Sequence, residues 1–356
     1  MAMNVLVIGG GIMGSATALA LREQGCKDIT LLERAVVGAE ASSAAGGILG
    51  AQIEGSALPA ETLDRLIAAR DAYPAWVQSL EALTGLSVGY RRCGSLHLSF
   101  DEPDAAHARA QVRAQAARGL AAEWLDPAGL RSCEPHAAEQ ALGAAFFASD
   151  AQVDPQALLR ALVVALGKQD VSVRSGSVVE ELVFEGERCV GVQTNDALLR
   201  ADAVILAAGS WSSTVRGVPI SLPKVKPVRG QMVLLEERPP RLSRVVFGAG
   251  GYVVPRGDGR VLAGSTMEHV GHRREITAGG VRDIMNAALR VAPCLEQAEW
   301  KSAWCNFRPW VGDEAPLVGA SGVPGLFLAT GHHRNGILLA RHTAVAVASS
   351  VMRAQG

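Results

Sequence analysis

The chain has 356 residues and a formal net charge of −1, and no run of Lys or Arg is long enough to follow a phosphate backbone, which argues against nucleic acid as a partner. The absence of a long apolar run and of a signal-peptide pattern argues against a membrane partner. The six cysteines are scattered without a C-x-x-C pair, which predicts reduced thiols and a cytoplasmic protein.

The first residues predict a βαβ unit. Asn4–Ile8 is an apolar strand, residues 9–11 are three glycines in a turn, and residues 12–24 show one apolar helical face that ends before Gly25. A second apolar strand follows at residues 29–33. This order is typical of parallel-sheet proteins.

The later segments mix helical and strand periodicities. In chain order we predict a helix at 61–83, a half-buried antiparallel strand at 95–100, and helices at 104–119 and 158–166. Strands joined by turns follow over 171–211 and end in an apolar strand at 203–207. Residues 228–264 are rich in strands, with a hairpin turn at Asp258 and Gly259, and the chain continues with a strand at 326–329 and a helix at 337–352.

The glycine turn has the spacing of a dinucleotide site. Gly9, Gly11 and Gly14 form G-x-G-x-x-G between a strand and a helix, where the backbone approaches a pyrophosphate and the helix N-terminus favours its charge. Glu33 ends the next strand, where a carboxylate hydrogen-bonds ribose hydroxyls. A carboxylate there disfavours the 2′-phosphate of NADP, so NAD and FAD remain.

Two further segments favour the flavin. The Ser-, Ala- and Gly-rich stretch after the second strand suits a loop pressed against a large flat ligand. Near the C-terminus, "ATGHHRNGILLA" places two glycines around a turn that enters a helix, whose amides can meet the negative charge of a reduced flavin. The neighbouring His332 and His333 lack partners at metal-ligand spacing, so no metal is expected.

Parallel-sheet segments alternate along the chain with antiparallel ones. We therefore expect an α/β fold with a doubly wound, Rossmann-like nucleotide domain and an antiparallel-sheet substrate domain built from insertions. The expected boundaries place residues 1–86, 151–222 and 305–356 in the nucleotide domain and residues 87–150 and 223–304 in the substrate domain.

Seven segments in order resemble the D-amino-acid oxidase superfamily of FAD enzymes, and within it the thiamine-pathway glycine oxidases. They are "VIGGGIMGSA", "SSAAGGILGA", "VILAAGSW", "YVVPR", "GSTM", "FRP" and "GHHRNGILLA". The resemblance covers essentially the whole chain. It implies a doubly wound FAD domain with an antiparallel substrate domain, as the alternation predicts.

The resemblance also implies which residues bind a non-covalent FAD. These are Gly9, Gly11, Ile12, Met13, Gly14, Glu33, Arg34, Ser42, Ser43, Ala45, Gly46, Gly47, Val179, Ala208, Gly209, Trp211, His333, Arg334, Asn335, Gly336 and Ile337. Val178 is an alternative to Val179 for the adenine contact. Cys305 lies near the region where some relatives attach flavin covalently but does not match that position.

For the substrate, the resemblance implies that Arg308 pairs with a carboxylate, to which a planar guanidinium is matched. Tyr252 adds a hydroxyl, and Arg334 lies near the carboxylate or the flavin. Met267 and Gly50 belong to the implied pocket. Two positions depart from the family pattern and reshape that pocket: Gly250, where relatives carry His, and Trp310, where a small residue is common.

The implied reaction is oxidation of glycine, sarcosine or a small D-amino acid at Cα–N. A neutral amine assists hydride departure to the flavin, the imine hydrolyses, and O₂ becomes H₂O₂. Orientation supplies most of the rate, and no side chain is required as general base. A homo-oligomer, tetramer or dimer, is expected.

Three alternatives remain open. The first is an amino- or imino-acid dehydrogenase that uses another electron acceptor. The second is an oxidase of bulkier amino acids. The third is a subunit that holds flavin but catalyses no reaction. Arg308 and Tyr252 argue against the last.

Overall fold

The computed structural model describes residues 3–55, 58–312 and 315–354. Within these ranges, no helix combines the length and apolarity that a bilayer crossing needs.

The strands are β1 Asn4–Ile8, β2 Asp28–Glu33, β3 Ile48–Leu49, β4 Ser95–Ser99, β5 Glu123–Leu125, β6 Gly143–Phe147, β7 Ala151–Gln152, β8 Ser172–Ser175, β9 Val179–Glu185, β10 Arg188–Thr194, β11 Leu198–Arg200, β12 Ala203–Leu206, β13 Lys226–Glu236, β14 Val245–Gly248, β15 Gly251–Pro255, β16 Arg260–Gly264, β17 Glu299–Trp310, β18 Leu317–Ala320 and β19 Leu326–Thr330.

Helices alternate with these strands. The α-helices are α1 Ile12–Glu23, α2 Ala41–Ala44, α3 Ala51–Gly55, α4 Ala60–Asp71, α5 Tyr73–Thr84, α6 Glu102–Ala117, α7 Pro127–Cys133, α8 Pro155–Lys168, α9 Ala278–Val291 and α10 Gly336–Arg353. Short 3₁₀ turns occur at Gly209–Thr214, Pro293–Gln297 and His333–Asn335.

The nucleotide sheet has the order β18-β19-β12-β1-β2-β8 and is parallel except for β18. On one face, β1 residues such as Val5 pack with Leu19 of α1, Leu158 of α8 and Leu338 of α10. On the other face, Leu6 packs with residues of the antiparallel sheet β11-β10-β9. Because strands buried on both faces read as apolar runs, the sequence located them well.

The second large sheet has the order β17-β13-β16-β15-β14-β4-β6-β5 and is antiparallel except where β14 meets β4. The mixed α/β fold with parallel and antiparallel sheets is therefore confirmed. Strand β4 was expected to be half-buried, which is wrong. Ser95 and Ser99 are buried as well as Leu96 and Leu98. The hydrogen bond that the Ser95 hydroxyl donates to Asp150 compensates for the burial of Ser95.

The helix predicted over 61–83 is two helices, α4 and α5, which meet at Ala72. Pro74 lies in the first turn of α5, where its missing amide costs nothing, but it cannot continue a preceding helix. The strand β17 is continuous across the predicted domain boundary at residue 305 and carries the substrate sheet to the cavity. The division into two domains remains a prediction.

Candidate active site

The turn after β1 is shaped for close backbone approach. An added Cβ at Gly14, in the first turn of α1, would lie 1.9 Å from the Gly9 carbonyl oxygen. Only glycine therefore fits at this position. The Ile12 amide donates to Ser42 Oγ at 2.9 Å. Among the described residues the amides of Gly11 and Met13 have no partner. Free amides at a helix N-terminus form a site for an anion.

Glu33 holds the same turn from the end of β2. Its Oε2 accepts from the Gly10 amide at 2.8 Å, and its Oε1 accepts from the Ala35 amide at 2.9 Å. The residue is 8% exposed and lines the cavity described next. A carboxylate oxygen has two lone pairs, so each can still accept a ligand hydroxyl.

One cavity collects most of the expected site residues. Those that line it are Gly9, Gly11, Ile12, Met13, Glu33, Arg34, Ser42, Ala45, Gly46, Gly47, Val178, Val179, Ala208, Gly209, Trp211, Tyr252, Arg308, His333, Arg334, Gly336 and Ile337. Gly14, Ser43 and Asn335 were also expected at the site and are not among the lining residues. The cavity therefore runs from the glycine turn of the parallel sheet to the antiparallel sheet.

The loop over residues 44–47 is held by the antiparallel sheet and by the segment that follows β7. Arg256 Nη2 donates to the Gly46 carbonyl at 2.7 Å, and Trp304 Nε1 donates to the Ala44 carbonyl at 3.1 Å. An added Cβ at Gly47 would lie 2.1 Å from the Val153 carbonyl oxygen. These contacts make the loop a fixed wall of the cavity. The arginine of "YVVPR" therefore has a structural partner that the sequence did not show.

A cluster of aromatic and cationic side chains lies beside the end of the cavity that contains the glycine turn. The Arg34 guanidinium carbon lies 3.8 Å from the centroid of the Trp211 ring, and Arg34 also pairs with Glu40. The His272 ring stacks on Trp211 at 4.9 Å. Trp211 thus joins the loop after β16 to the cavity wall, and Glu40, which sequence reasoning missed, is part of the lining.

Arg308 lies on β17 with its guanidinium at the other end of the cavity. Nη1 donates to the Thr266 carbonyl at 3.0 Å, and Nη2 donates to Ser265 Oγ at 2.6 Å. Both acceptors are neutral, and Arg308 has no carboxylate partner in the described part of the chain. A half-buried guanidinium without a counter-charge is suited to bind an anionic ligand.

Tyr252 lies on β15, in the same sheet as Arg308, and its side chain contacts the loop over residues 44–47. Its hydroxyl contacts Met232 Sδ at 3.4 Å, and its ring lies 3.5 Å from the position of a Cβ at Gly46. Met232 and Ile48 add apolar surface to the same part of the cavity. Few polar groups in a mostly apolar lining are typical of a small-molecule site.

Glu54 is a lining residue that the sequence analysis missed. Its Oε2 lies 3.2 Å from Arg334 Nε. Burial raises the pKa of Glu54, and the charge of Asp150 adds to the rise, while Arg334 and Arg308 oppose it. Burial, with the charges of Arg308, Arg334 and His269, lowers the pKa of His333 to about 4. At neutral pH His333 is therefore an uncharged neighbour of the two arginines.

Four residues expected in the substrate pocket do not line the cavity. Met267 is 54% exposed, and Gly250 lies in the exposed turn between β14 and β15. Trp310 contacts the ring of His269 edge-on at 5.0 Å, and Pro309 lines the cavity in its place. Gly50 is buried just before α3, where a Cβ would lie 2.8 Å from Ile53.

A parallel sheet with a G-x-G-x-x-G turn, joined by a cavity to an antiparallel sheet, is the architecture of a dinucleotide-dependent enzyme. Residues 4–350 match the model of the DAO family, described as FAD dependent oxidoreductase, and the chain belongs to that family.

The chain is similar to named proteins along its length. It is 35% identical to the bifunctional protein ThiO/ThiG of Nostoc sp. over 99% of this chain and 53% of that protein, so it spans about half the length of such bifunctional relatives. It is 32% identical to the glycine oxidase of Geobacillus kaustophilus, over 98% of this chain and 93% of that protein. The crystal structure of glycine oxidase from G. kaustophilus superposes with a TM-score of 0.91, at 31% identity, covering 99% and 95% of the two chains.

FAD is the cofactor of this family, and the observed site fits it. The unpaired amides of Gly11 and Met13 suit the pyrophosphate, and Glu33 suits ribose hydroxyls. The loop over residues 44–47 lines the cavity beside Tyr252 with alanine and glycine alone, which leaves room for a planar ring system.

Proposed function

We propose that this protein catalyses the FAD-dependent oxidative deamination of glycine, sarcosine or a small D-amino acid and releases H₂O₂. The observation that supports it most is the guanidinium of Arg308, which has only neutral partners and lies in the same cavity as the dinucleotide turn. A substrate with one carboxylate supplies the missing counter-charge.

The residues act by binding and orientation. Arg308 binds the substrate carboxylate through two N–H groups, and the Tyr252 hydroxyl gives the same carboxylate a further donor. Ile48 and Met232 exclude water around Cα. When bound, FAD would supply the redox chemistry, as the acceptor of the hydride from Cα with O₂ as the final electron acceptor. Fixing the substrate so that Cα–H faces the flavin replaces any need for a general base.

The cofactor is held without a covalent bond in this proposal. Gly11, Met13 and Ser42 hold the pyrophosphate, Glu33 holds the ribose, and Val179 lies against the adenine. Cys305 donates through Sγ to the Arg274 carbonyl at 3.2 Å and does not line the main cavity. Burial raises the pKa of its thiol, which disfavours the thiolate needed for attachment.

The proposal extends to the assembly and the compartment. All six cysteines are unpaired, which supports a reducing, cytoplasmic location. A homo-oligomer, tetramer or dimer, stays an expectation from the family resemblance, and size-exclusion chromatography with light scattering tests it.

A peroxide-coupled assay on the purified yellow protein tests the proposal. Glycine, sarcosine, D-alanine, D-proline and bulkier D- and L-amino acids form the panel. Peroxide from glycine or sarcosine supports the oxidase. Anaerobic bleaching of the flavin without peroxide in air supports the dehydrogenase alternative, and bleaching only by larger amino acids supports the bulkier-substrate alternative. No bleaching by any of them contradicts the proposed substrate class.

A further inference from the structure

We propose that Glu54 is a selectivity residue that limits the site to substrates with a single acidic group. By pairing with Arg334, it leaves Arg308 as the one guanidinium at this end of the cavity that is free for a ligand. This inference rests on the proposed function, because it concerns ligands that place a carboxylate on Arg308.

The position of Glu54 is fixed by a buried network. Its helix α3 is only five residues long, but Asp150 accepts from the amides of Gln52 and Ile53 at 3.1 Å each. Asp150 is fully buried and pairs with Arg70 at 3.1 Å. Glu54 therefore projects into the cavity from a rigid support, and its side chain is only 15% exposed.

At this end of the cavity, the charges of the described lining residues leave one positive charge without a partner. The ion pair with Arg334 favours the charged form of Glu54 against the rise in pKa that burial causes, His333 is uncharged at neutral pH, and among the described residues Arg308 contributes one positive charge. A substrate with one carboxylate completes the balance. A second carboxylate on the amine or on Cα extends towards Glu54, where it meets a like charge and an arginine that is already paired. Such discrimination by repulsion is a common way to obtain specificity.

The substitution Glu54→Gln keeps the side-chain shape, removes the charge and frees Arg334. Glu54→Asp keeps the charge on a shorter side chain. The double variant Glu54→Gln/Arg334→Gln removes both members of the pair. Glu23→Gln is the matched control, because Glu23 forms a single ion pair with Arg341 on the surface, at 2.7 Å and far from the cavity.

The experiment uses two ligands that have no amine and cannot be oxidised by this chemistry. Methoxyacetate carries one carboxylate, and oxydiacetate carries two on the same ether skeleton. Their Kd values are measured on each holoenzyme from the perturbation of the flavin absorption spectrum. In parallel, kcat/KM is measured for sarcosine and iminodiacetate, which are the corresponding amines.

We expect Glu54→Gln to tighten oxydiacetate binding by roughly tenfold or more relative to methoxyacetate, the size of effect that removing a close like charge produces. Glu54→Asp and Glu23→Gln should keep the wild-type ratio. The gain should be smaller in the double variant, since part of it comes from the lost repulsion and part from the freed Arg334. An unchanged ratio in flavin-loaded Glu54→Gln, or a gain of the same size in the double variant, would overturn the inference.

Two further readouts separate the possible failures. Ligand binding needs no turnover. A wild-type protein that binds methoxyacetate more tightly than oxydiacetate but oxidises no amine therefore contradicts the proposed function and leaves the inference intact. If Glu54→Gln does not hold flavin, the single variant Arg334→Gln decides. It should weaken both ligands, because Glu54 then neutralises Arg308, and unchanged binding contradicts the role of the pair.

Discussion

The backbone of Gly230 lies directly beneath the guanidinium of Arg308, and an added Cβ at residue 230 would come within 2.4 Å of Arg308 Nη1. Gly230 on β13 pairs with Asn306 on β17, so Gly230 and Arg308 lie diagonally across the two strands, two positions apart in register. The space for the guanidinium is therefore created by the absence of a side chain on the adjacent strand.

Gly230→Ala should weaken substrate binding with little change in stability. The clashing atom is the free end of a flexible side chain, so the guanidinium can move away, but it then leaves its bonds to Thr266 and Ser265. We expect KM for the amino acid substrate to rise about tenfold, as for loss of an aligned charged hydrogen bond. Gly279→Ala, at an open position of α9, should change neither KM nor the melting temperature appreciably. An unaltered KM in Gly230→Ala would show that the ligand does not use Arg308.

Arg308→Lys should be far more damaging than Tyr252→Phe. Lysine keeps the charge but not the planar pair of N–H donors, so we expect the Kd of methoxyacetate to rise by roughly a hundredfold. Tyr252→Phe removes one neutral hydroxyl whose observed contact is Met232 Sδ, and the rise should be about fivefold. Spectral titration of both holoenzymes checks the order, and the reverse order would contradict the assigned roles.

Gly14→Ala should prevent formation of the flavin-loaded protein. The added Cβ would lie 1.9 Å from the carbonyl oxygen of Gly9, which is a backbone atom and cannot turn aside as the end of a flexible side chain can. The yellow absorbance per protein and the melting temperature measure the effect. Gly167→Ala is the matched helical control, because nothing lies within 4 Å of its Cβ, and a stabilisation of up to about 1 kcal/mol is expected there. Full flavin content in Gly14→Ala would contradict the site.

The free energy of unfolding should fall as the pH falls towards 4, partly because of His332. Burial lowers its pKa to about 3, whereas the unfolded residue has a pKa of about 6.5. Between these values the unfolded chain binds more protons than the folded one, so acid favours unfolding. His332→Gln should therefore flatten the dependence of the melting temperature on pH between 4 and 6.5, measured at saturating FAD.

His107→Gln is the control for this pH dependence, because His107 is exposed on α6. Its curve should follow that of the wild type. Equal slopes for His332→Gln and the wild type would mean that the buried imidazole does not resist protonation.

Local patterns predicted the parts of the site that are contiguous in the chain. Gly9, Gly11 and Gly14 form a strand–turn–helix unit whose spacing carries its own geometry, and the structure places that unit at the cavity. The family resemblance located Arg308 and Tyr252, which line the same cavity. The roles of these residues remain predictions until the measurements above are made.

Relationships between distant segments were not visible in the sequence. The fit of Gly230 under Arg308 depends on the register of β13 against β17, which no local pattern encodes. Glu54 is one acid in a five-residue helix, and its importance comes from Asp150 and Arg334 around it. Met267 is exposed, because resemblance to a short segment does not specify where its side chain points.

The order of the nucleotide sheet also bears on how the protein is made. The central strand β1 lies between β2 and β12, and β12 pairs in turn with β19, near the end of the chain. Helix α10 begins at Gly336 in the cavity wall and packs against α1, in the apolar core between the parallel sheet and its helices. A nascent chain therefore has no complete binding surface for flavin until the segment that contains β19 and the start of α10 has left the ribosome. Loading of the cofactor has to wait for the synthesis of that segment.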